Sequence, residues 1–394
     1  MIVIADDITG AAEMAGIATE QGWQVRLVCG TGGLNGCDAI ATYETCGTKA
    51  DRVTVVATDT RSMTEEEAVA ETRHIATQLM LLSTQCPGSQ GRRLFKKTDS
   101  ALRGHVTAEI TALMQATGMQ RAVYLPANPS KGRTIRGGTY YIDGAPISHT
   151  DFSFDPEFPA TTSVLRERFP NAEAQNILMP DAESEYDIRH VVVQYDDGHT
   201  LFAGAADLFG ILLSSTQRQA CHNRQPSSLP LKDDVGRLLI VCGSTQSRPK
   251  DIDIPVAPMP RCVYDGDSDL RSWDTKAYVK GSSIVLTIPH HHHTGKNVAL
   301  ANSEREKVKA TAMYLRHATA EKVKELVDIH RPDHLIIEGG ATAWAILQAL
   351  GWTDFTIEAQ LAPGVVQMRT TSGTLVTLKP GSYPWGKEQF IVHR

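Results

Sequence analysis

The run Lys97-Thr98-Asp99-Ser100-Ala101-Leu102-Arg103-Gly104 sets an ammonium, a carboxylate, hydroxyls and a guanidinium within eight residues. Lys97 offers a point charge and Arg103 a forked donor, both suited to a carboxylate or a phosphate. Asp99 and Ser100 suit sugar hydroxyls or a metal. Joining a strand to a helix needs much less, since a glycine and one capping residue suffice. A solvated, locally capped loop could share this composition, so the octet gains meaning only from its company. Three further polar turns follow short apolar runs: Asp6-Asp7-Ile8-Thr9-Gly10, Thr58-Asp59-Thr60-Arg61-Ser62 and Pro126 to Arg133.

The elements that must hold these turns are legible as alternating strands and helices. Met1 to Ala5, Gln24 to Gly30, Arg52 to Ala57, Leu94-Phe95 with its flanks, and Ala122 to Leu125 read as strands. Thr9 is the expected cap of the first helix, which Gly22 stops. Thr64 and Glu67 form a capping-box signature for the helix that follows them. Val106, Ile110, Leu113 and Met114 fall at helical spacing after the octet. This alternation predicts an α/β fold with a mostly parallel, doubly wound sheet flanked by helices. Ligands of such sheets sit outside the carboxyl ends of the strands. Asp6, Asp7, Asp59, Arg61, Lys97, Asp99, Ser100 and Arg103 should therefore gather at one rim, as a site for a small, polyhydroxylated anion.

The 394 residues predict two such domains. The first spans 1–215 and includes an Asp143-Gly144 hairpin, a strand from Asn176 to Asp181, and a strand at Thr200 to Gly204 leading into a helix. Residues 216–236, rich in Gln, Asn, Ser and Pro, read as a linker. The second domain, 237–394, opens with the strand Leu238 to Cys242, closing on Gly243-Ser244-Thr245. Ser303 and Glu306 cap a helical region expected to break near Thr319 and resume to about Ile329. The strand His334 to Glu338 runs into Gly339-Gly340-Ala341-Thr342-Ala343 and another helix. A Gly-Gly turn there presents unpaired N–H groups to a nucleotide phosphate, although a tight structural turn would look the same. Lys379 to Gly386 adds a cation, Gly381 and aromatic bulk.

The formal net charge of −6 argues against a nucleic-acid partner. Seven cysteines, an odd count without a C-x-x-C pair, point to reduced thiols and a cytoplasmic protein. Neither a leader peptide nor a membrane span is expected. The glycines from Gly30 to Gly36 have the wrong spacing for a dinucleotide fingerprint, and no G-x-x-x-x-G-K-[ST] loop occurs. His290 to His293 read as a solvated loop, and Cys242 as a buried small apolar residue.

Taken in order, Asp6 to Ala11, the octet Lys97 to Gly104, Pro126 with Gly132-Arg133-Thr134, Gly243-Ser244, Gly339 to Ala343 and Lys379 to Gly381 resemble the four-carbon acid sugar kinase family. The resemblance spans nearly the whole chain. It implies an N-terminal sugar-acid domain, a C-terminal nucleotide domain, an active site in the cleft between them, and phosphorylation of a tetronate at its terminal hydroxyl by ATP with Mg²⁺. The ending Lys379 to Trp385 is most similar to D-threonate kinases. Their product, 4-phospho-D-threonate, would pass to a 4-phosphothreonine-dehydrogenase-like enzyme; 3-oxo-tetronate and D-erythronate are the alternative substrates. Asp6, Asp7, Arg61, Lys97, Thr98, Asp99, Ser100 and Arg103 are the expected substrate ligands. Ser244, Gly339, Gly340, Ala341, Thr342 and Gly381 are the expected ATP ligands. Asp7 is the first candidate to orient or deprotonate the hydroxyl, with Asp99 and Asp6 behind it; metal ligands are unassigned. Three departures stand out. Met63 occupies a position where the family often has arginine, leaving Arg61 as that loop's only guanidinium. Ala341 stands where many members have aspartate, which leaves a non-catalytic sugar-acid-binding protein as the competing reading. Asn128 replaces an apolar residue of the family's Pro-Ala-Phe-Pro. Oligomerisation is compatible with all of this.

Overall fold

The computed structural model describes residues 1–34, 43–45, 48–50, 52–85, 93–155, 157–216, 236–243, 254–266, 269–279, 281–288, 302–381 and 385. The chain divides into two compact units, Met1–Arg224 and Gln225–Arg394. Most of the expected linker, Ser244, Gly36 and the histidines His290 to His293 lie outside the described residues.

In the first unit the strands run in the order Ile177–Leu178, Arg121–Leu125, Thr200–Gly204, Leu94–Lys97, Ile2–Ala5, Arg52–Ala57, Gln24–Cys29. Every pairing among them is parallel. Parallel strands are covered on both faces, which is why they read as apolar runs rather than alternations. The chain moves from Ile2–Ala5 to one side of the sheet and returns across it to Leu94–Lys97, so the switch point lies between these two neighbours. The helices Ile8–Glu20, Glu65–Gln85 and Val106–Thr117 follow the strands whose ends carry the polar turns. A separate antiparallel sheet of Arg133–Arg136, Thr139–Ile142 and Ala145–Pro146, here called the arm, packs back on this unit through the buried Ile135 and Tyr140. Its hairpin turns at Asp143 and Gly144, both at positive φ, as expected from that dipeptide.

The second unit orders its strands Asp354–Ala362, Val365–Thr370, Leu375–Lys379, His334–Glu338, Leu238–Cys242, Ile284–Thr287, Val256–Pro258. The last five pair in parallel, and the first two add an antiparallel hairpin at one edge that sequence patterning missed. Leu238, Ile240, Cys242, Val285, Ile336 and Val365 form its apolar centre, so Cys242 is the buried small residue expected.

Three local expectations are corrected. Asp7, not Thr9, caps the first helix: its carboxylate accepts from the Gly10 amide at 2.7 Å, and the Thr9 hydroxyl donates to Asp7 at 2.6 Å. A carboxylate suits the positive helix end better than a hydroxyl does. The helix Asn302–His330 is continuous; Thr319 satisfies its hydroxyl on Leu315 O at 2.7 Å and causes no break. The strand expected from Asn176 to Asp181 is only Ile177–Leu178.

Candidate active site

The turns after Ile2–Ala5, Arg52–Ala57 and Leu94–Lys97 converge at the switch point through one guanidinium. Arg61 reaches Asp6 at 3.1 Å, Asp7 at 2.7 Å and Asp99 at 3.4 Å. Its turn is fixed from below by Thr60, whose hydroxyl donates to the buried Glu109 at 2.9 Å. Glu109 in turn pairs with fully buried Lys96 at 2.7 Å. Lys96 and Lys97 are successive strand residues and so face opposite sides of the sheet. Lys96 serves the interior pair, while Lys97 donates to Thr98 O at 2.9 Å and stands 3.6 Å from Glu13. Gly10 makes room for this arrangement: a Cβ there would lie 2.7 Å from Asp7 Oδ1 and 3.3 Å from Lys97 Nζ.

Asp99 organises the octet. It accepts from the Ala101 amide at 2.9 Å, and Arg103 grips it with Nε at 2.9 Å and Nη2 at 2.8 Å. Within this turn Leu102 takes φ +62, an unusual conformation for a side chain of that size. Such strain persists only where surrounding contacts enforce it. Ser100 lies at the open side, where Arg133 donates to its hydroxyl and Tyr140 reaches its carbonyl at 2.6 Å. Thr98 is buried, and its amide donates to Gly204 O at 3.1 Å.

The three aspartates differ electrostatically. Burial raises Asp6, with Arg61 pulling against it, so its pKa ends above the ordinary carboxylate range. Burial acts on Asp7 too, but Arg61, Lys97 and the Thr9 and Gly10 hydrogen bonds outweigh it and hold the pKa down. For Asp99, burial is overwhelmed by Arg61 and the bonded Arg103, which keep it ionised far below the usual range. Asp7 is the most open of the three, its side chain 18% exposed against 4% for Asp6 and 11% for Asp99.

The second unit's rim is built differently. Gly339, at φ +96, caps the helix Gly340–Leu350 without a side-chain hydrogen bond. The N–H groups of a helix's first turn have no intrahelical partner, and here no side chain of the cap takes one. Gly243 meets this turn closely: a Cβ on it would fall 2.1 Å from the Thr342 hydroxyl. Lys379, expected as an available cation, is instead buried against Glu338 at 2.8 Å, and Trp385 Nε1 donates to the same carboxylate at 2.9 Å. Gly381 stands two residues after Lys379, beyond Pro380. Among the described residues, no three His, Cys, Asp or Glu side chains form a metal cage.

The structure thus gathers Asp6, Asp7, Arg61, Lys97, Asp99, Ser100 and Arg103 at one rim, with Thr98 beneath it, and places Gly339 to Thr342 at another. Sequence reading overlooked Glu13, which accepts from Lys131 at 2.5 Å and faces Lys97. It also gave no role to Arg133, although that residue closes one of the four polar turns. Asp59, expected at the same rim, begins the turn Thr60–Ser62, where its carbonyl accepts from the Ser62 hydroxyl at 3.0 Å.

Two family models match the chain, a sugar-binding N-terminal domain over residues 1–190 and a nucleotide-binding C-terminal domain over residues 268–391. The chain is similar to a D-threonate kinase of Salmonella typhimurium, 25% identical over 92% of this chain and 89% of that one. It is 27% identical to a 3-oxo-tetronate kinase of Brucella melitensis, over 99% of this chain and 93% of that one. A crystal structure of a Haemophilus influenzae protein shares the fold, with a TM-score of 0.62 at 17% identity, covering 99% and 98% of the two chains. The resemblance read from the octet and the glycine turns is therefore upheld by both halves of the molecule, and the chain belongs to the four-carbon acid sugar kinase family.

Proposed function

We propose that this protein transfers the terminal phosphoryl group of ATP to the C4 hydroxyl of D-threonate, giving 4-phospho-D-threonate. The observation that carries the reading is the single rim on which Arg61 ties Asp6, Asp7 and Asp99 together beside Lys97 and Ser100. Such a rim offers donors and acceptors to each hydroxyl of a small acid. The nucleotide belongs on the Gly339 to Thr342 turn, whose backbone donors suit phosphate, with Ser244 and Gly381 as its further proposed ligands. Mg²⁺ would enter with the nucleotide, held chiefly by phosphate oxygens and water, and would neutralise charge on the transferring group.

Asp7 is assigned to orient the attacking hydroxyl. It is ionised and the most open of the three aspartates. Its low pKa suits a hydrogen-bond acceptor, because phosphoryl transfer asks for positioning more than for a strong base. Asp99 serves as the clamp that presents Arg103. Raised Asp6 stays the second candidate for taking the proton. The product suits an enzyme of the 4-phosphothreonine dehydrogenase kind, and both reactants are cytoplasmic metabolites in this reading.

D-threonate is chosen over other four-carbon acids on the C-terminal sequence and on similarity to the D-threonate kinase of Salmonella typhimurium. A coupled assay of ATP consumption across D-threonate, D-erythronate and 3-oxo-tetronates tests it. Highest kcat/KM for D-threonate is expected; preference for another member would move the substrate assignment within the family. Failure of every tetronate to drive ATP consumption would instead favour the binding-protein reading that Ala341 suggested.

A further inference from the structure

We propose that Arg133 receives the substrate's carboxylate and thereby makes the site select an acid over an uncharged polyol. The inference rests on the acid-sugar half-site described above. It begins with how the cations of that rim are already engaged. Arg61 is held by three aspartates. Arg103 has a two-point grip on Asp99 and a further carboxylate, Asp155, at 3.6 Å. Lys97 faces Glu13 at 3.6 Å, and Lys131 binds the other oxygen of Glu13 at 2.5 Å. Arg133 differs from all four. Among the described residues its side-chain partners are the Ser100 hydroxyl and the ring of Phe152, 6.0 Å from the guanidinium carbon, and none is a carboxylate.

The residue is held where an incoming anion could use it. Its backbone exchanges two hydrogen bonds with Asn128, at 2.8 and 3.1 Å, which fixes the start of the arm. Phe152 lies 5.8 Å from Arg103 as well, so one ring packs beside both guanidiniums. Tyr140, from the same arm, holds the Ser100 carbonyl. A half-buried guanidinium without a counter-charge is electrostatically incomplete. Its planar fork matches the two oxygens of a carboxylate. The acid end of a tetronate supplies that charge, leaving Asp7 and Lys97 to the hydroxyl-bearing end.

The test compares a tetronate with its uncharged primary amide, which keeps every hydroxyl. In Arg133→Gln, kcat/KM for the tetronate should fall by about 10–100-fold, the usual worth of a charge-assisted bond. For the amide, kcat/KM, or its inhibition constant where it is not turned over, should change by less than about 3-fold. KM for the nucleotide should stay at the wild-type value. Arg133→Lys, which keeps the charge but loses the fork, should fall between wild type and Arg133→Gln. Equal losses for acid and amide, or no loss for the acid, would overturn the assignment. Lys97→Met and Ser100→Ala are measured alongside. If these also leave tetronate kinetics at wild type, the half-site itself is misplaced; if they respond and Arg133→Gln does not, only the carboxylate assignment falls.

Discussion

The two units put their polar turns at the ends of similar parallel strands, yet they arm those turns in different ways. The N-terminal rim is made of side chains: three aspartates around Arg61, with Lys97, Ser100 and Arg103 beside them. The C-terminal rim is made of backbone, a glycine-capped helix start, and Lys379 of the neighbouring strand is buried against Glu338. A chiral four-carbon acid must be told from its stereoisomers, which takes individually placed donors and acceptors. A nucleotide phosphate is a symmetric anion that first-turn N–H groups can hold without charged side chains.

The largest effect expected from breaking this contrast is on turnover. Asp7→Asn keeps the helix cap, since asparagine caps as well as aspartate does. It should lower kcat by about 10²–10⁴, the range of acid–base contributions, with nucleotide KM little changed. A folded variant with kcat within a few-fold of wild type removes Asp7 from the mechanism and moves the role to Asp6.

Next in size is Arg103→Ala, which leaves buried Asp99 without its two-point partner. Losing a charge-assisted bond of about 1.5–3 kcal/mol should raise KM for the acid sugar by roughly 10–150-fold. Nucleotide KM should hold. Gly243→Ala acts on the other rim, where its Cβ would strike Thr342. We expect nucleotide KM to rise by about 10-fold, on the order of 1.4 kcal/mol, while the acid sugar is bound as before. Matching changes in both constants for either variant would erase the contrast between the rims.

The sequence displayed one of these rims better than the other, for a physical reason. A charged residue at a strand end is visible as a letter, so Asp6, Asp7, Arg61, Lys97, Asp99 and Arg103 could be gathered from the sequence alone. Backbone donors have no letter, and Gly339-Gly340 betrayed them only through the space that glycine leaves. What the letters hid was partnership. Lys379 looked available until the register of its strand set it beside Glu338. Thr9 looked like a cap until Asp7, two residues earlier, took the Gly10 amide. Glu13 sits within an apolar helix and signals nothing until Lys97 and Lys131 are seen to converge on it. The antiparallel hairpin at 354–370 was legible and overlooked: Asp354 to Leu361 alternates polar and apolar residues without a break, the pattern of a half-buried strand.

The last effect falls on stability rather than on turnover, and it comes from acid. Burial, joined by Arg369, pushes His334 down to about 4, below the ordinary value near 6.5. As pH falls, the unfolded chain takes up this proton first. The neutral imidazole's contribution is therefore complete above about pH 6.5 and is lost between 6.5 and 4. The loss should approach about 2–3 kcal/mol at the acid end, and His334→Gln should flatten that part of a stability-versus-pH curve. An unchanged curve would show that His334 is not held neutral.

The division of labour itself is tested most directly by amide hydrogen exchange with each ligand alone. D-threonate should slow exchange in 97–104 and in 58–62 while leaving 339–343 as in the free protein. A non-hydrolysable ATP analogue with Mg²⁺ should do the reverse. Protection of 339–343 by the acid sugar, or of 97–104 by the nucleotide, would contradict the assignment of one substrate to each unit.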